Sequence, residues 1–307
     1  MEFKESFPAL GTEIEISISV DDAALSKKAQ QDIGKAKKEY ERYEKMLSRF
    51  LSDSELTHLN NNLHFSNEAS HDIIELSRMA FAHFKETGGI FDPRIIGNLE
   101  AIGYREDFKK GRFKLSSQNN ADANPFKNSL SSDISIKENN ITFHKRMDFG
   151  GIAKGYITDK ISGILLENGW KNFFVNSGGD IFFSGKDGLD PWYFSVEGIR
   201  EEQLLLWAKD CGVATSGIGR RKWEIEGRKF HHLIDPRNPE KFSFDLKTVT
   251  VMAKTAREAD VWAKTFFIIG KKEGIKLATD RNMKCIFLDY RGNFWISPAI
   301  KKHVYKK

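Results

Sequence analysis

Residues 147–185 read MDFGGIAKGYITDKISGILLENGWKNFFVNSGGDIFFSG, and every change of pattern in this stretch is marked by glycine or by a carboxylate. Asp148, Gly150, Gly151 and Gly155 bracket a turn. Ile157, Ile161, Ile164 and Leu165 then recur at helical spacing, so the turn leads into a helix that stops at Glu167-Asn168-Gly169. Phe173-Phe174-Val175 predicts a buried strand, and Asn176-Ser177-Gly178-Gly179-Asp180 a second tight bend. Glycine lets backbone approach a ligand closely, a helix N-terminus offers unpaired N–H groups to an anion, and Lys154 adds positive charge at that end. Taken alone, a double glycine between Ser and Asp is more often an ordinary β-turn. Two such bends joined by a compact helix and strand point instead to a nucleotide site. It is neither a P-loop nor a dinucleotide fingerprint, because GxxxxGK[ST] and GxGxxG are both missing.

The 307 residues are 40% hydrophobic and 30% charged, which describes a globular chain with ample material for a core. Lys and Arg number 48 against 43 Asp and Glu, a mild excess that suits an anionic ligand or a solvated basic surface equally. Basic residues are not interleaved with aromatics in any one stretch, so nothing argues for nucleic acid. Cys211 and Cys285 sit in apolar settings and are expected as core thiols. No run reaches the length of a membrane span, and the opening MEFKESFPAL has no apolar signal core, so the sequence as it stands is expected in the cytoplasm. Export, or a lipoprotein form, is the expectation if a signal segment has been removed.

Outward from the opening stretch, alternation predicts a strand over residues 11–20, after which Asp21-Asp22 caps a long helix to about residue 50. A helix is predicted near 69–87, a polar surface insertion over about 105–132, and a hairpin from Ile134-Ser135-Ile136 to Ile141-Thr142-Phe143 that delivers Asp148. Trp192 to Gly198 and Thr248 to Ala253 read as strands. Helices are predicted from Ala256 to about Ile269 and over 272–281, and strands at Cys285 to Leu288 and Phe294 to Ile296. Arg220, Arg221 and Lys222 form either a phosphate contact or a solvated turn.

Asp148 to Gly155 followed by Asn176 to Asp180 resembles the ApbE family of flavin transferases, which move FMN from FAD onto a hydroxyl side chain of a target protein. The family signature is D-x-G-G-x-A-K-G, then a helix, a strand and N-x-G-G-D. Further similar segments run through nearly the whole chain: Leu10-Gly11-Thr12, Phe50 with Asp53-Ser54-Glu55-Leu56, Phe91-Asp92-Pro93, Ala214-Thr215-Ser216-Gly217, and His232-Leu233-Ile234-Asp235-Pro236. The resemblance implies one α+β domain over residues 1–307, with mixed, largely antiparallel sheets flanked by helices and a ligand cleft between two subdomains. It places the flavin ring by Leu10 and Phe50, and the diphosphate and adenosine by Asp148, Lys154, Gly178, Gly179, Asp180, Ser216 and Gly217. Asp92 either orients the flavin loop or starts the turn at Pro93, with the sequence favouring the turn. His232, on an expected apolar strand, is either a satisfied structural histidine or the proton acceptor of the transfer, because a hydroxyl is a poor nucleophile until its proton has somewhere to go. Asp235 is its orienting neighbour or a turn former, and His231 carries no role.

For magnesium the resemblance implies Asp260 and a carbonyl near Gly151, with a threonine four residues after Asp260. This chain has Lys264 at that position, and Thr265 lies about 140° round the helix from Asp260. Asp260 and Lys264 therefore form an ordinary surface pair, or the ammonium stands in for the cation, or a local distortion returns Thr265 to the ligand role. An ammonium cannot ligate Mg²⁺, so metal dependence is open. The implied partners are FAD and a flavin-acceptor protein, a redox-complex subunit among the candidates. Two rivals remain: a magnesium-dependent FAD pyrophosphatase, and an FAD-binding homologue without catalysis.

Overall fold

The computed structural model describes residues 1–20, 22–106, 108, 111, 113–115, 129–219 and 221–305. Asp21, Arg220 and most of the expected insertion lie outside the described residues. In chain order the regular elements are β1 (Glu2–Ala9), β2 (Thr12–Ser19), α1 (Ser26–Leu47), α2 (Glu55–Asn61), β3 (Asn67–Glu68), α3 (His71–Glu86), α4 (Ile96–Ala101), β4 (Ile134–Lys137), β5 (Asn140–Phe143) and α5 (Ala153–Glu167). They continue as β6 (Phe173–Ser177), β7 (Asp180–Ser184), β8 (Trp192–Ser195), β9 (Leu205–Ala208), β10 (Cys211–Gly217), β11 (Lys222–Ile225), β12 (Arg228–His231), β13 (Leu246–Ala253), α6 (Ala256–Asp280), β14 (Lys284–Asp289) and β15 (Phe294–Ile296). The chain resolves into two compact units, the first made of Met1–Glu44, Lys154–Gly217 and Phe244–Lys307, the second of Lys45–Ala153 and Ile218–Ser243.

Unit 1 is built on an eight-stranded sheet in the order β1-β2-β6-β7-β10-β13-β14-β15, with each neighbouring pair antiparallel. Alternation in β2 buries Ile14, Ile16 and Ile18 completely, each contributing about 2 kcal/mol of transfer free energy. Helix α6 packs on β10 and β13 through Ala259, Val261, Trp262, Ala263 and Phe266. Its first turn is capped by Thr255, whose hydroxyl accepts the Glu258 N–H. Gly270 interrupts it with φ 82° and ψ 173°, which is why the sequence reads as two helices there. Both cysteines are buried and free, and burial pushes the Cys285 thiol up to about 12.

Unit 2 holds the sheet β3-β5-β4, the hairpin β11-β12 and helices α2, α3 and α4. Its aromatic core gathers Tyr104, Trp223 and Phe230 with Leu99 and Ile234. The α+β class and antiparallel sheets are as the resemblance implies. Three local expectations change. The strand β1 has no counterpart in the prediction; the helix capped by Asp22 opens with a short 3₁₀ turn over Ala23–Leu25 and ends at Leu47; and His232 lies just beyond β12 instead of on a strand.

Candidate active site

In unit 1 the predicted double-glycine bend is the two-residue turn of the β6-β7 hairpin. Gly178 and Gly179 have φ of 64° and 101°, a conformation that L side chains resist, and the Asn176 Oδ1 accepts the Gly179 N–H at 2.8 Å. A Cβ on Gly178 would lie 2.1 Å from Thr12 Oγ1. The turn is anchored below by Ser177, whose hydroxyl sits 2.7 Å from the Tyr40 hydroxyl and 2.6 Å from that of Thr158. Leu10 and Gly11 form the equivalent turn of the β1-β2 hairpin, with φ of 53° and 70°. On β10, Ser216 and Gly217 pair with Val249 and Thr248 of β13, and the Thr215 N–H reaches the Gly179 carbonyl at 3.2 Å.

Beside this turn lies a cluster of four charges, two buried aspartates and two half-buried lysines. Lys154, on the first turn of α5, donates to Asp180 Oδ2, and Lys264 donates to Asp260 Oδ1. The remaining oxygens, Asp180 Oδ1 and Asp260 Oδ2, are buried and accept no hydrogen bond among the described residues. Burial raises the Asp260 pKa, the Asp180 charge raises it further, and Lys264 and Lys154 oppose both. The two pairs are therefore one electrostatic unit. A buried carboxylate oxygen without a donor carries a desolvation penalty of about 1 to 3 kcal/mol, so two of them side by side mark a place awaiting a cationic or donor partner.

This cluster bears on the three readings of Lys264. The pair with Asp260 is not a surface pair, since the lysine side chain is 14% exposed and the aspartate 1%. Nor is the helix distorted there: the Thr265 hydroxyl donates to the Val261 carbonyl at 2.8 Å, and the non-helical residue is Gly270. The Lys264 ammonium thus meets the Asp260 carboxylate largely away from solvent, on a regular stretch of α6. Gly155 also departs from a ligand-facing role, because a Cβ there would lie 2.5 Å from Arg257 Cα, so this glycine admits α6 close to α5. Asp159 supports the same contact by accepting the Ala256 and Arg257 N–H groups at 2.7 and 3.1 Å, while burial pushes its carboxyl up to about 6.

In unit 2 Asp148 caps its own turn, accepting the Gly150 N–H at 2.7 Å, and its Oδ2 meets Arg49 Nε at 3.1 Å. The Arg49 guanidinium stacks on Phe50 at 4.3 Å and on Tyr104 at 4.7 Å, leaving Phe50 39% exposed. Asp92 is a turn former with a buried partner: it accepts the Arg94 N–H and guanidinium, and Arg94 also binds Asp133. Its carboxylate is thus engaged inside the protein, and the flavin-loop reading gives way to the turn. Asp235 likewise binds Arg237 through three contacts, at 2.8 to 3.0 Å, which makes it a turn former instead of the histidine's orienting neighbour. The His232 Nδ1 lies 3.3 Å from the Arg221 carbonyl. Gly151 occupies the turn before α5 and belongs to unit 2, whereas Asp260 belongs to unit 1.

Sequence reasoning passed over Arg49, Tyr40, Thr158 and Asp159. Arg49 directly precedes Phe50, but its partner is ninety-nine residues away (148 − 49) and spacing carries no signal for such a pair.

Several solved structures share this fold, flavin transferases among them. The apo ApbE flavinyl transferase of Pseudomonas stutzeri matches with a TM-score of 0.85 at 21% identity, covering 100% of this chain and 98% of that one. The ApbE protein of Thermotoga maritima also gives 0.85, at 22% identity with 100% of both chains covered. Among curated proteins, the FAD:protein FMN transferase of Escherichia coli K12 is 24% identical over 278 residues, 84% of this chain and 77% of its own length. That of Buchnera aphidicola is 27% identical over 164 residues, 51% of this chain and 48% of the relative. The ApbE family model matches residues 10–287, and the chain belongs to that family.

Proposed function

We infer that the chain is an FAD:protein FMN transferase, moving FMN from FAD onto a Ser or Thr hydroxyl of an acceptor protein. The hydroxyl oxygen attacks the FMN phosphorus, the bridging P–O bond of the diphosphate breaks, and AMP departs with that oxygen. A proton must leave the hydroxyl, and His232 is assigned to take it. An Nδ1–H donated to the Arg221 carbonyl makes Nε2 the basic nitrogen. The observation that carries the reading is the Lys154, Asp180, Asp260 and Lys264 cluster, with two buried carboxylate oxygens unpaired among the described residues and a double-glycine turn leading into Asp180, in a chain of this family.

The two unpaired oxygens are hard donors and fit a hard cation. Asp180 Oδ1 and Asp260 Oδ2 would hold magnesium, which when bound supplies Lewis-acid polarisation of the diphosphate oxygens. Lys154 and Lys264 bring the cluster to formal neutrality, so this chain supports part of that neutralisation with its own ammonium groups. The Gly178-Gly179 turn and the Ser216-Gly217 end of β10 are assigned to the diphosphate and adenosine. Phe50, stacked on Arg49, is assigned to the flavin ring, with Leu10 and Asp148 as further contacts. The acceptor is proposed to be a subunit of a redox complex, since a covalently fixed flavin serves electron transfer.

Incubation with FAD and a candidate acceptor domain, with Mg²⁺ or with EDTA, followed by weighing of the acceptor, tests this. Gain of the FMN mass with release of AMP is expected. FMN and AMP without any acceptor would indicate the pyrophosphatase, and FAD uptake without turnover the binding homologue; either result refutes the transferase reading.

A further inference from the structure

We propose that His64 and His144, on unit 2, form a two-imidazole chelate for a borderline divalent transition-metal ion such as Zn²⁺, Cu²⁺ or Ni²⁺. Their Nδ1 atoms lie 3.1 Å apart, with ring centroids at 5.3 Å and planes inclined by 44°. Metal–imidazole bonds of about 2.0 to 2.1 Å place two ligand nitrogens about 2.9 Å apart at a right angle and about 3.4 Å apart at the tetrahedral angle. The observed separation falls between them, and since the centroid distance sets the two nitrogens nearly head-on, both rings turn slightly from this arrangement to share an ion. Imidazole nitrogen is also the donor that these ions favour, whereas magnesium prefers oxygen.

The pair is arranged by backbone and not by chance contact of two long side chains. His64 sits at φ 70° in the left-handed region, and its N–H donates to the Phe143 carbonyl at 2.8 Å. That bond fixes the residue beside the end of β5, where His144 follows immediately with its own N–H on the Asp133 carbonyl at 2.9 Å. The pairing of Asn67 with Ile141 and of Glu68 with Asn140 extends the same alignment. Preorganisation of this kind lowers the entropic penalty of bringing two ligands to one ion. His64 is exposed and His144 half-buried, so an ion can enter and keep waters in its other positions.

Metal-free, the two nitrogens at 3.1 Å share one hydrogen bond, one ring donating from Nδ1 and the other accepting. On chelation both Nδ1 lone pairs face the ion, each ring carries its proton on Nε2, and the proton that left Nδ1 of the donor ring is made good, through solvent, at the Nε2 of the same ring. The two states therefore differ in tautomer.

The test is titration of the full chain with ZnCl₂ in excess Mg²⁺, followed by ¹⁵N-edited NMR of the imidazoles, and with CuCl₂ for paramagnetic broadening. As about one ion binds, the donor ring is expected to convert to the Nε2–H tautomer that the acceptor ring already holds, and the Nδ1 signals of both rings to shift together. His64→Asn, which tolerates the left-handed backbone, and His144→Asn should each weaken binding on the order of tenfold or more. His71→Gln, in the other group of adjacent ligands (His71, Asp72 and Glu75), should leave the affinity unchanged. Rings that keep unequal tautomers throughout, or Asn variants that bind as tightly as the parent, would reduce the contact to a hydrogen bond and overturn the proposal. Neither outcome bears on FMN transfer.

Discussion

At the scale of single residues, the question is what the ammonium of Lys264 does to Asp260. It neutralises one carboxylate oxygen in a buried setting where the second has no donor, and the Asp180 charge beside it makes a second negative group expensive. Replacing it by threonine removes a positive charge and supplies a hard oxygen donor. Lys264→Thr should therefore strengthen Mg²⁺ binding and increase the response of transfer to Mg²⁺, read from a metal titration by calorimetry alongside acceptor mass. An unchanged titration would mean that the lysine does not compete for the cation. Gly178 offers a second test that needs no ligand. Its φ of 64° and the 2.1 Å approach of a Cβ to Thr12 Oγ1 mean that Gly178→Ala must strain the turn and push Thr12 aside. A loss of about 1 to 3 kcal/mol is expected in denaturant unfolding. A companion Thr12→Ser, which removes the methyl carbon a Cβ would meet at 2.8 Å, should recover part of it.

Between elements, the contact that matters most for the cluster is that of α5 with the start of α6, because α5 carries Lys154 and α6 carries Asp260 and Lys264. Gly155 admits the approach and Asp159 caps the incoming helix. Gly155→Ala would set a Cβ 2.5 Å from Arg257 Cα, a backbone atom that cannot rotate away. It should destabilise by about 2 kcal/mol or more and weaken FAD binding along with stability. Loss of stability with unaltered FAD affinity would show that the cluster does not depend on this packing. Much of this architecture was legible. The helical period of Ile157, Ile161 and Ile164 gives α5, the Glu167-Asn168-Gly169 stop ends it where the glycine takes φ 88°, and Glu138-Asn139 marks the β4-β5 turn. The strand β1 was not, because it lies at the sheet edge and buries little beyond Phe7 and Ala9, so its alternation is weak. The role of Gly155 was misjudged for a different reason: a glycine beside a ligand and a glycine beside a helix look alike until the partner's position is known. The spacing of Asp260 and Lys264 is equally silent, since an i,i+4 pair has the same signature exposed or buried.

For the molecule as a whole, two buried groups set opposing dependences of stability on pH. Asp159 titrates near 6 in the folded chain, above the ordinary carboxylate value of 3.8, because burial disfavours its charge. The folded state then binds more protons than the unfolded one between those values, so stability from Asp159 is full below pH 4 and lost as pH rises through 6. His231 is the reverse. Burial holds its imidazole down to about 4 from 6.5, so its contribution is full above pH 6.5 and lost as pH falls through 4. Each difference is worth about 2 to 3 kcal/mol across its window, with Asp159 at the lower figure because it is only half-buried. In the parent chain the two largely offset one another, and single substitutions should expose them separately. His231→Gln should leave a stability that falls between pH 4 and 6, whereas Asp159→Asn should leave one that rises over pH 4 to 6.5. Urea midpoints across that range decide the matter. Slopes of the same sign in both variants would mean that one of the two groups does not hold its charge state as its burial demands.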